Sequence, residues 1–262
     1  DSLTADRLAN YYKYLTTAHS NAFETYCVQN TYHDADYFND LIGTKLIAEG
    51  RFADAIPYLR KVSTSLLSKQ LISVFASKRH FDTPRWFGKQ YVDDGYEPVE
   101  VSRNAKLDFC IDMTSRLSQY SLAREGNDKQ QMAYDLAVRY YQASCYGDCW
   151  YLTHYYRSVM DSARSWEKDF AAETVKYLNV AKQSNDMRLR YNSLYALAFV
   201  PVEPWATTEY DASNGYNEIL VLHPQAAQYQ ALNELGMFAL AHPEAIDDYT
   251  RRCDVLRQFN QK

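Results

Sequence analysis

Residues 41–59 read LIGTKLIAEGRFADAIPYL, and this stretch decides the expected fold. Apolar residues recur at helical spacing before and after Gly50. Glycine takes the left-handed backbone conformation without steric cost, so Gly50 predicts the end of a first helix. A second helix is expected to begin at Phe52, with Pro57 in about its second turn. The stretch therefore predicts two helices joined by a short turn.

The composition and the spacing of turns extend this prediction to the rest of the chain. Glycine and proline total 15 of 262 residues, about 6 % against roughly 12 % on average, which argues against a turn-rich β-sandwich or barrel. Turn signals recur about one helix apart, and Gly147 and Asn185 are 38 residues apart. Two-helix units of this length are typical of stacked helical arrays. The sequence thus predicts an all-α fold of about ten to eleven helices, the first of them reaching to about Gln29.

One helix pair resembles a tetratricopeptide (TPR) repeat. The matching positions are Ile42, Gly43, Leu46, Gly50, Phe52, Ala55, Leu59 and Val62, while Asn39 stands in place of the usual Trp. Two other segments match in part, around 136–148 and 232–239. The resemblance implies a TPR-like α-α superhelix of antiparallel helix pairs, formed as a single helical-repeat domain over 1–262. It also implies a scaffold that binds proteins or peptides.

Two spans interrupt the helical pattern, and they hold the candidate ligand-binding residues. The first runs from His80 to Ser102, with a weak hairpin signal around Asp93-Asp94-Gly95, and a subdomain boundary would fall near 80–103. The second, 201–223, is expected to be a second irregular aromatic-rich loop. The candidates are Arg85, Trp86, Tyr91, Tyr96, Trp205, Tyr210 and Tyr216. Such aromatic residues either stack on a ligand or anchor the loops onto the helical layer, and both readings stay open.

Signals for catalysis, metal binding and nucleic-acid binding are weak. His33, Asp36 and Asp40 share one face of a predicted helix, but a solvated polar face explains them as well. A second set of metal-capable residues, Cys145, Cys149 and His154, has no second pair at zinc-site spacing. The chain carries no P-loop, G-x-S-x-G, H-E-x-x-H or G-x-G-x-x-G motif. We therefore expect no catalytic residues, no metal and no cofactor.

The charge and hydropathy pattern restricts the partners. The net charge is −5, and basic residues are scattered among acidic ones, so a nucleic-acid partner is not expected. The apolar stretch 194–200 is far shorter than the ~20 residues that cross a bilayer, so no transmembrane segment is expected. The sequence opens with Asp1 and without a basic-then-apolar leader, which favours a processed chain or a piece of a longer one.

These observations predict a non-enzymatic interaction scaffold for a protein or peptide. The chain has 24 Tyr among its 262 residues. Its Tyr-, Asn- and Gln-rich helical style is also similar to cell-envelope proteins of Bacteroidetes, including the SusD-like glycan-binding lipoproteins. That resemblance implies an alternative function, glycan binding in the periplasm or cell envelope through loop Trp and Tyr residues. A module of a larger enzyme is the third alternative.

Overall fold

A computed structural model describes residues 3–70, 72–86, 97–154, 164–200, 203–211, 213 and 217–261. Most of this described chain is helical, so the prediction of a mainly α-helical protein is confirmed. The helices are α1 Ala5–Thr16, α2 Ala22–Gln29, α3 Ala35–Ala48, α4 Phe52–Leu59, α5 Thr64–Leu67, α6 Ile72–Lys78, α7 Ala105–Leu122, α8 Asn127–Ala143, α9 Phe170–Ala181, α10 Met187–Phe199, α11 Ala227–Ala241, α12 Asp248–Arg251 and α13 Asp254–Asn260. Short 3₁₀ turns lie at Trp150–Leu152 and Pro243–Ala245.

The chain divides into two compact units. Unit 1 consists of the described parts of Asp1–Thr83, Lys89–Gln119 and Gln142–Phe170. Unit 2 consists of the described parts of Pro84–Gly88, Tyr120–Tyr141 and Ala171–Lys262. Each unit has its own apolar core, with Ile42 and Phe109 fully buried in unit 1 and Leu178 and Leu232 in unit 2.

The first helix of the sequence prediction is two helices in the structure. α1 begins after Thr4, whose hydroxyl accepts a hydrogen bond from the Arg7 N–H as expected of an N-cap. It ends at Thr16, and α2 begins only after Asn21. The Asn21 side-chain oxygen accepts from the backbone N–H of Phe23 at 2.8 Å. The prediction of one helix to Gln29 was therefore wrong, because an internal Asn that caps a new helix outweighed the continuing apolar spacing.

The helix pair that carries the TPR resemblance packs closely. Gly50 adopts φ = +75° between α3 and α4, and the Arg51 N–H returns to the Leu46 carbonyl at 2.8 Å. A Cβ on Gly43 would lie 2.4 Å from Cδ2 of Leu59, so only a glycine permits this approach. Leu46 and Leu59 are buried in the seam. The sequence prediction of two helices around this turn is confirmed.

A segment far along the chain completes this pair. The Lys168 N–H donates to the carbonyl of Ala48 at 2.8 Å, which satisfies one of the open carbonyls at the end of α3. The ring of Trp166 lies under the Lys45 ammonium group at 4.6 Å, and Phe170 contacts Phe52 at a centroid distance of 6.2 Å. Residues 164–170 thus belong to the packing of unit 1.

The second interrupting span contains a β-hairpin, which corrects the prediction of an irregular loop at 201–223. Strand β1 (Ala206–Asp211) pairs antiparallel with β2 (Asn217–Leu222), with Thr208 opposite Leu220. Thr, Ile and Val occupy several of these positions, and such β-branched residues fit a pleated strand. The weak hairpin signal around Asp93-Asp94-Gly95 lies outside the described residues.

Candidate binding surface

Trp86, predicted to contact a ligand, is an internal residue of unit 2. Its side chain is 2 % exposed. Its indole N–H donates to Oη of Tyr134 at 3.2 Å, and its ring lies 5.0 Å from that of Tyr141. The Tyr141 hydroxyl in turn donates to the Trp86 carbonyl at 2.8 Å. These contacts support the reading of Trp86 as a loop anchor, since no face of the ring is open to a ligand.

The remaining loop candidates differ in exposure. Trp205 is 6 % exposed and meets Phe259 edge-on at 5.3 Å. Tyr210, on β1, is 65 % exposed, and its hydroxyl donates to Glu218 at 3.4 Å. Arg85 is half-buried. Tyr91, Tyr96 and Tyr216 lie outside the described residues. Of the described candidates, Tyr210 is the one whose ring is largely accessible.

The polar residues of helix α3, the first helix of the TPR-like pair, do not form an exposed surface on which a ligand could bind. Asp40 is fully buried and accepts a 2.8 Å hydrogen bond from the Lys106 ammonium group. The Thr44 hydroxyl donates to the Asp40 carbonyl, and Lys45 is covered by Trp166. The polar residues of α3 are therefore satisfied inside unit 1.

The buried Lys106–Asp40 pair lies beside a small cavity of about 20 Å³ lined by Gln70, Ser73 and Tyr151 among others. A volume of this size admits about one water molecule. The side-chain N–H of Gln70 also donates to Asp40, at 3.3 Å. The arrangement stabilises the two charges, but the cavity has no room for a substrate.

The two sets of metal-capable residues do not assemble. Asp36 accepts from the hydroxyl and N–H of Ser63, while His33 contacts the Thr31 carbonyl. No group of three or more His, Cys, Asp or Glu among the described residues is placed to hold a metal ion. None of the five cysteines is disulfide-bonded. Burial raises the pKa of the Cys149 thiol to about 12, so this residue is a neutral packing side chain at physiological pH.

Five of the seven exposed aromatic residues that the structure describes lie elsewhere, between residues 11 and 32 at the start of unit 1. We name these five the N-terminal aromatic surface, and they are Tyr11, Tyr14, Phe23, Tyr26 and Tyr32. Phe23 is 74 % and Tyr26 64 % exposed, although aromatic residues normally bury most of their area. None of these residues is among the candidates predicted from the sequence. The available signal was a run of apolar residues along a predicted helix, which is usually a sign of burial.

A rigid cluster of rings supports one part of this surface. Phe38 of α3 is buried, stacks on Tyr12 at 4.7 Å and contacts Tyr11 at 6.3 Å. Tyr37 meets Phe38 edge-on at 5.4 Å, and the exposed Tyr32 meets Tyr37 at 5.2 Å. Tyr11 and Tyr32 are thus held by neighbouring rings while large parts of their own rings face solvent.

Helix α2 forms the other part, and none of its side chains is buried. It is held by local hydrogen bonds, such as those from the Thr25 hydroxyl to the carbonyls of His19 and Asn21. Glu24 is its single charged residue, 3.7 Å from the His19 ring. An eight-residue helix without buried side chains is marginally stable in water, so α2 gains little from the rest of the described chain.

Comparisons with known proteins give no family assignment. The chain matches no protein-family model, no curated protein and no solved structure. Within the described residues, every helix is too short or too polar to cross a membrane. The exposed rings of the N-terminal aromatic surface, and an α2 whose only charged residue is Glu24, are suited to contact another apolar or aromatic group.

Proposed function

We propose that this chain is a non-enzymatic interaction scaffold that binds a protein or peptide through the N-terminal aromatic surface. The observation that supports the proposal is α2, an exposed helix with Phe23 and Tyr26 and no buried side chain. Groups of exposed apolar residues on soluble proteins mark interaction sites, whereas isolated ones are ordinary. Five of the seven exposed aromatic residues that the structure describes lie between residues 11 and 32. The TPR-like superhelix remains part of this proposal, supported by the α3–α4 packing around Gly43 and Gly50.

The energetics of the surface fit a protein partner. Tyrosine is enriched among the residues that dominate binding, where truncation costs about 2 kcal/mol or more. Tyr11 and Tyr32 are already held in place by the rings around Phe38. Ordering them on binding therefore costs little conformational entropy. α2, in contrast, would be stabilised by the partner that covers it.

The proposed binding surface does not include α3, the first helix of the TPR-like pair. The polar residues of α3 are engaged inside unit 1, so the contact is assigned to α1 and α2 instead.

A glycan ligand is the second candidate, and the exposed ring of Tyr210 favours it. Tyrosine rings stack on sugar rings through their apolar faces. Trp86 and Trp205 are left out of this candidate because both are buried.

Photo-crosslinking tests the protein-binding proposal. A photoreactive phenylalanine analogue placed at Tyr26 should capture a partner, which is then identified, purified and added back to the wild-type chain. In that reconstituted system Phe23→Ala with Tyr26→Ala should weaken binding by about 100-fold or more, because two strong contacts are lost. Met237→Ala is the matched control, since Met237 is 60 % exposed but belongs to unit 2.

Equal binding by the double variant and the wild type would refute the assignment to the N-terminal aromatic surface. Retention of the wild-type chain in a polysaccharide affinity gel, lost on Tyr210→Ala, would favour the glycan candidate instead.

A further inference from the structure

Apolar side chains of the β-hairpin in unit 2 are exposed to solvent. Leu220 is 40 % exposed, and Ile219 and Leu222 are also exposed. Because side chains alternate along a strand, Ile219 and Leu220 face opposite sides of the hairpin. Both faces of β2 are therefore accessible, and a two-stranded sheet of this kind is marginally stable in water on its own.

The register identifies which backbone groups are unpaired. The His223 N–H donates to the Trp205 carbonyl at 2.8 Å, so these two residues form a hydrogen-bonded pair at the base of the hairpin. Hydrogen-bonded and non-hydrogen-bonded pairs alternate in an antiparallel ladder. Given the continuous register, the N–H and C=O groups of Glu218, Leu220 and Leu222 point away from β1. In the described part of the chain, no other segment hydrogen-bonds to them.

The edge of β2 has only one of the features that protect exposed strands, the charge of Glu218 near its start. Its sequence is Asn217-Glu218-Ile219-Leu220-Val221-Leu222, with four consecutive apolar residues and neither Pro, Lys nor Gly. Natural proteins usually interrupt such edges with charged residues, Pro or bulges, because an open edge pairs with another chain. The apolar stretch Ile219–Leu222 is therefore a ready template for pairing with another strand.

We infer that the occupant of this edge is β2 of a second copy, paired antiparallel about a two-fold axis at Leu220. This register aligns each outward group with an outward group of the copy and gives about six main-chain hydrogen bonds. Ile219 then opposes Val221, a favourable pair of β-branched residues. Glu218 opposes Leu222, so its carboxylate does not meet its own copy.

The edge of β1 fits a second copy less well. Its sequence, Ala206–Asp211, contains Glu209 near its centre and Asp211 at its end. A symmetric pairing of β1 brings the two Glu209 carboxylates close together, and like charges in facing positions destabilise a sheet. The facing Glu209 carboxylates thus make β1 a poorer strand than β2 for pairing with a second copy.

Solution mass and two charge substitutions test this inference. The wild-type chain should have twice its 30.4 kDa chain mass in light scattering at high concentration. Leu220→Lys places two like charges directly opposite and should return the mass to that of one chain. Thr208→Lys is the matched control, because Thr208 is exposed and lies opposite Leu220 within the hairpin, and it should stay dimeric.

A cysteine pair tests the register and does not depend on the folding of the lysine variant. Opposite residues in a hydrogen-bonded pair have Cα atoms about 5.5 Å apart, within the range of a disulfide. Leu220→Cys in a Cys27→Ser background should form a disulfide-linked dimer on mild oxidation, whereas Thr208→Cys should not. A monomeric wild-type chain at every concentration would overturn the inference. So would equal cross-linking at the two positions, or a folded Leu220→Lys variant that is still dimeric.

Discussion

Gly43→Ala probes the close packing of α3 and α4. Alanine in a helix interior normally stabilises it by about 0.5–1 kcal/mol relative to glycine. Here the new Cβ would lie 2.4 Å from Cδ2 and 2.6 Å from Cγ of Leu59, where carbon atoms normally approach to about 3.5–4.0 Å. Leu59 is fully buried, so it cannot move away without displacing its neighbours.

The clash with Leu59 should outweigh the helix stabilisation by alanine. Overpacking of a core costs about 1–3 kcal/mol, so the net loss is expected to be about 1–2 kcal/mol. Native-state hydrogen exchange of α3 and α4 is the suitable assay, because the chain has two compact units and a global transition would average over both. Amides that exchange by opening of this helix pair should exchange about 5- to 30-fold faster.

Gly236→Ala is the matched control in α11. A Cβ there would meet only Asn260 Oδ1, at 3.8 Å, so this variant should gain the ordinary helix stabilisation. In the Gly43→Ala background, Leu59→Ala should cost less than it does in the wild type, because the clash is removed. Slower exchange of α3 and α4 in Gly43→Ala would refute the packing argument.

Two further properties follow from buried groups. Lys106→Met should lower the stability of unit 1 by about 3–5 kcal/mol in native-state hydrogen exchange, because it leaves the buried carboxylate of Asp40 without its 2.8 Å partner; unchanged exchange of the α3 amides would contradict the pairing. Burial raises the pKa values of Cys149 and Tyr177 to about 12, from ordinary values of 9.0 and 10.0. Their neutral forms are favoured in the folded state, so this stabilisation is complete below about pH 9 and is lost as the pH rises toward 12. The melting temperature should fall over that window, and Cys149→Ala should make the fall shallower; identical pH profiles would exclude its role.

Helical periodicity predicted where helices form better than which of their faces are covered. The polar face of α3 contains Asp40 and Lys45, yet both are buried. The apolar residues Phe23 and Tyr26 of α2 are exposed. Burial depends on partners that are distant in the sequence, such as Lys106 and Trp166, and no local spacing identifies them.

The burial of the loop Trp residues was likewise not predictable from local sequence. A Trp residue in a loop, such as Trp86 or Trp205, is typical both of a ligand-binding site and of a loop anchor. The two readings separate only when Tyr134, Tyr141 and Phe259 are seen against the indole rings. The hairpin, in contrast, was accessible from the sequence, because Thr207, Thr208, Ile219 and Val221 are strong strand formers on either side of Asn214-Gly215. The hairpin was missed because the whole span 201–223 was interpreted as an irregular loop.

The contact of residues 164–170 with the ends of α3 and α4 has a consequence for biosynthesis. The N–H that satisfies the Ala48 carbonyl belongs to Lys168, and the ring against Phe52 belongs to Phe170. During translation the chain as far as Phe170 must leave the ribosome before this packing can form. Nascent chains shorter than this leave the Ala48 carbonyl and the Phe52 ring without these partners, so they are the forms on which chaperones and proteases would act.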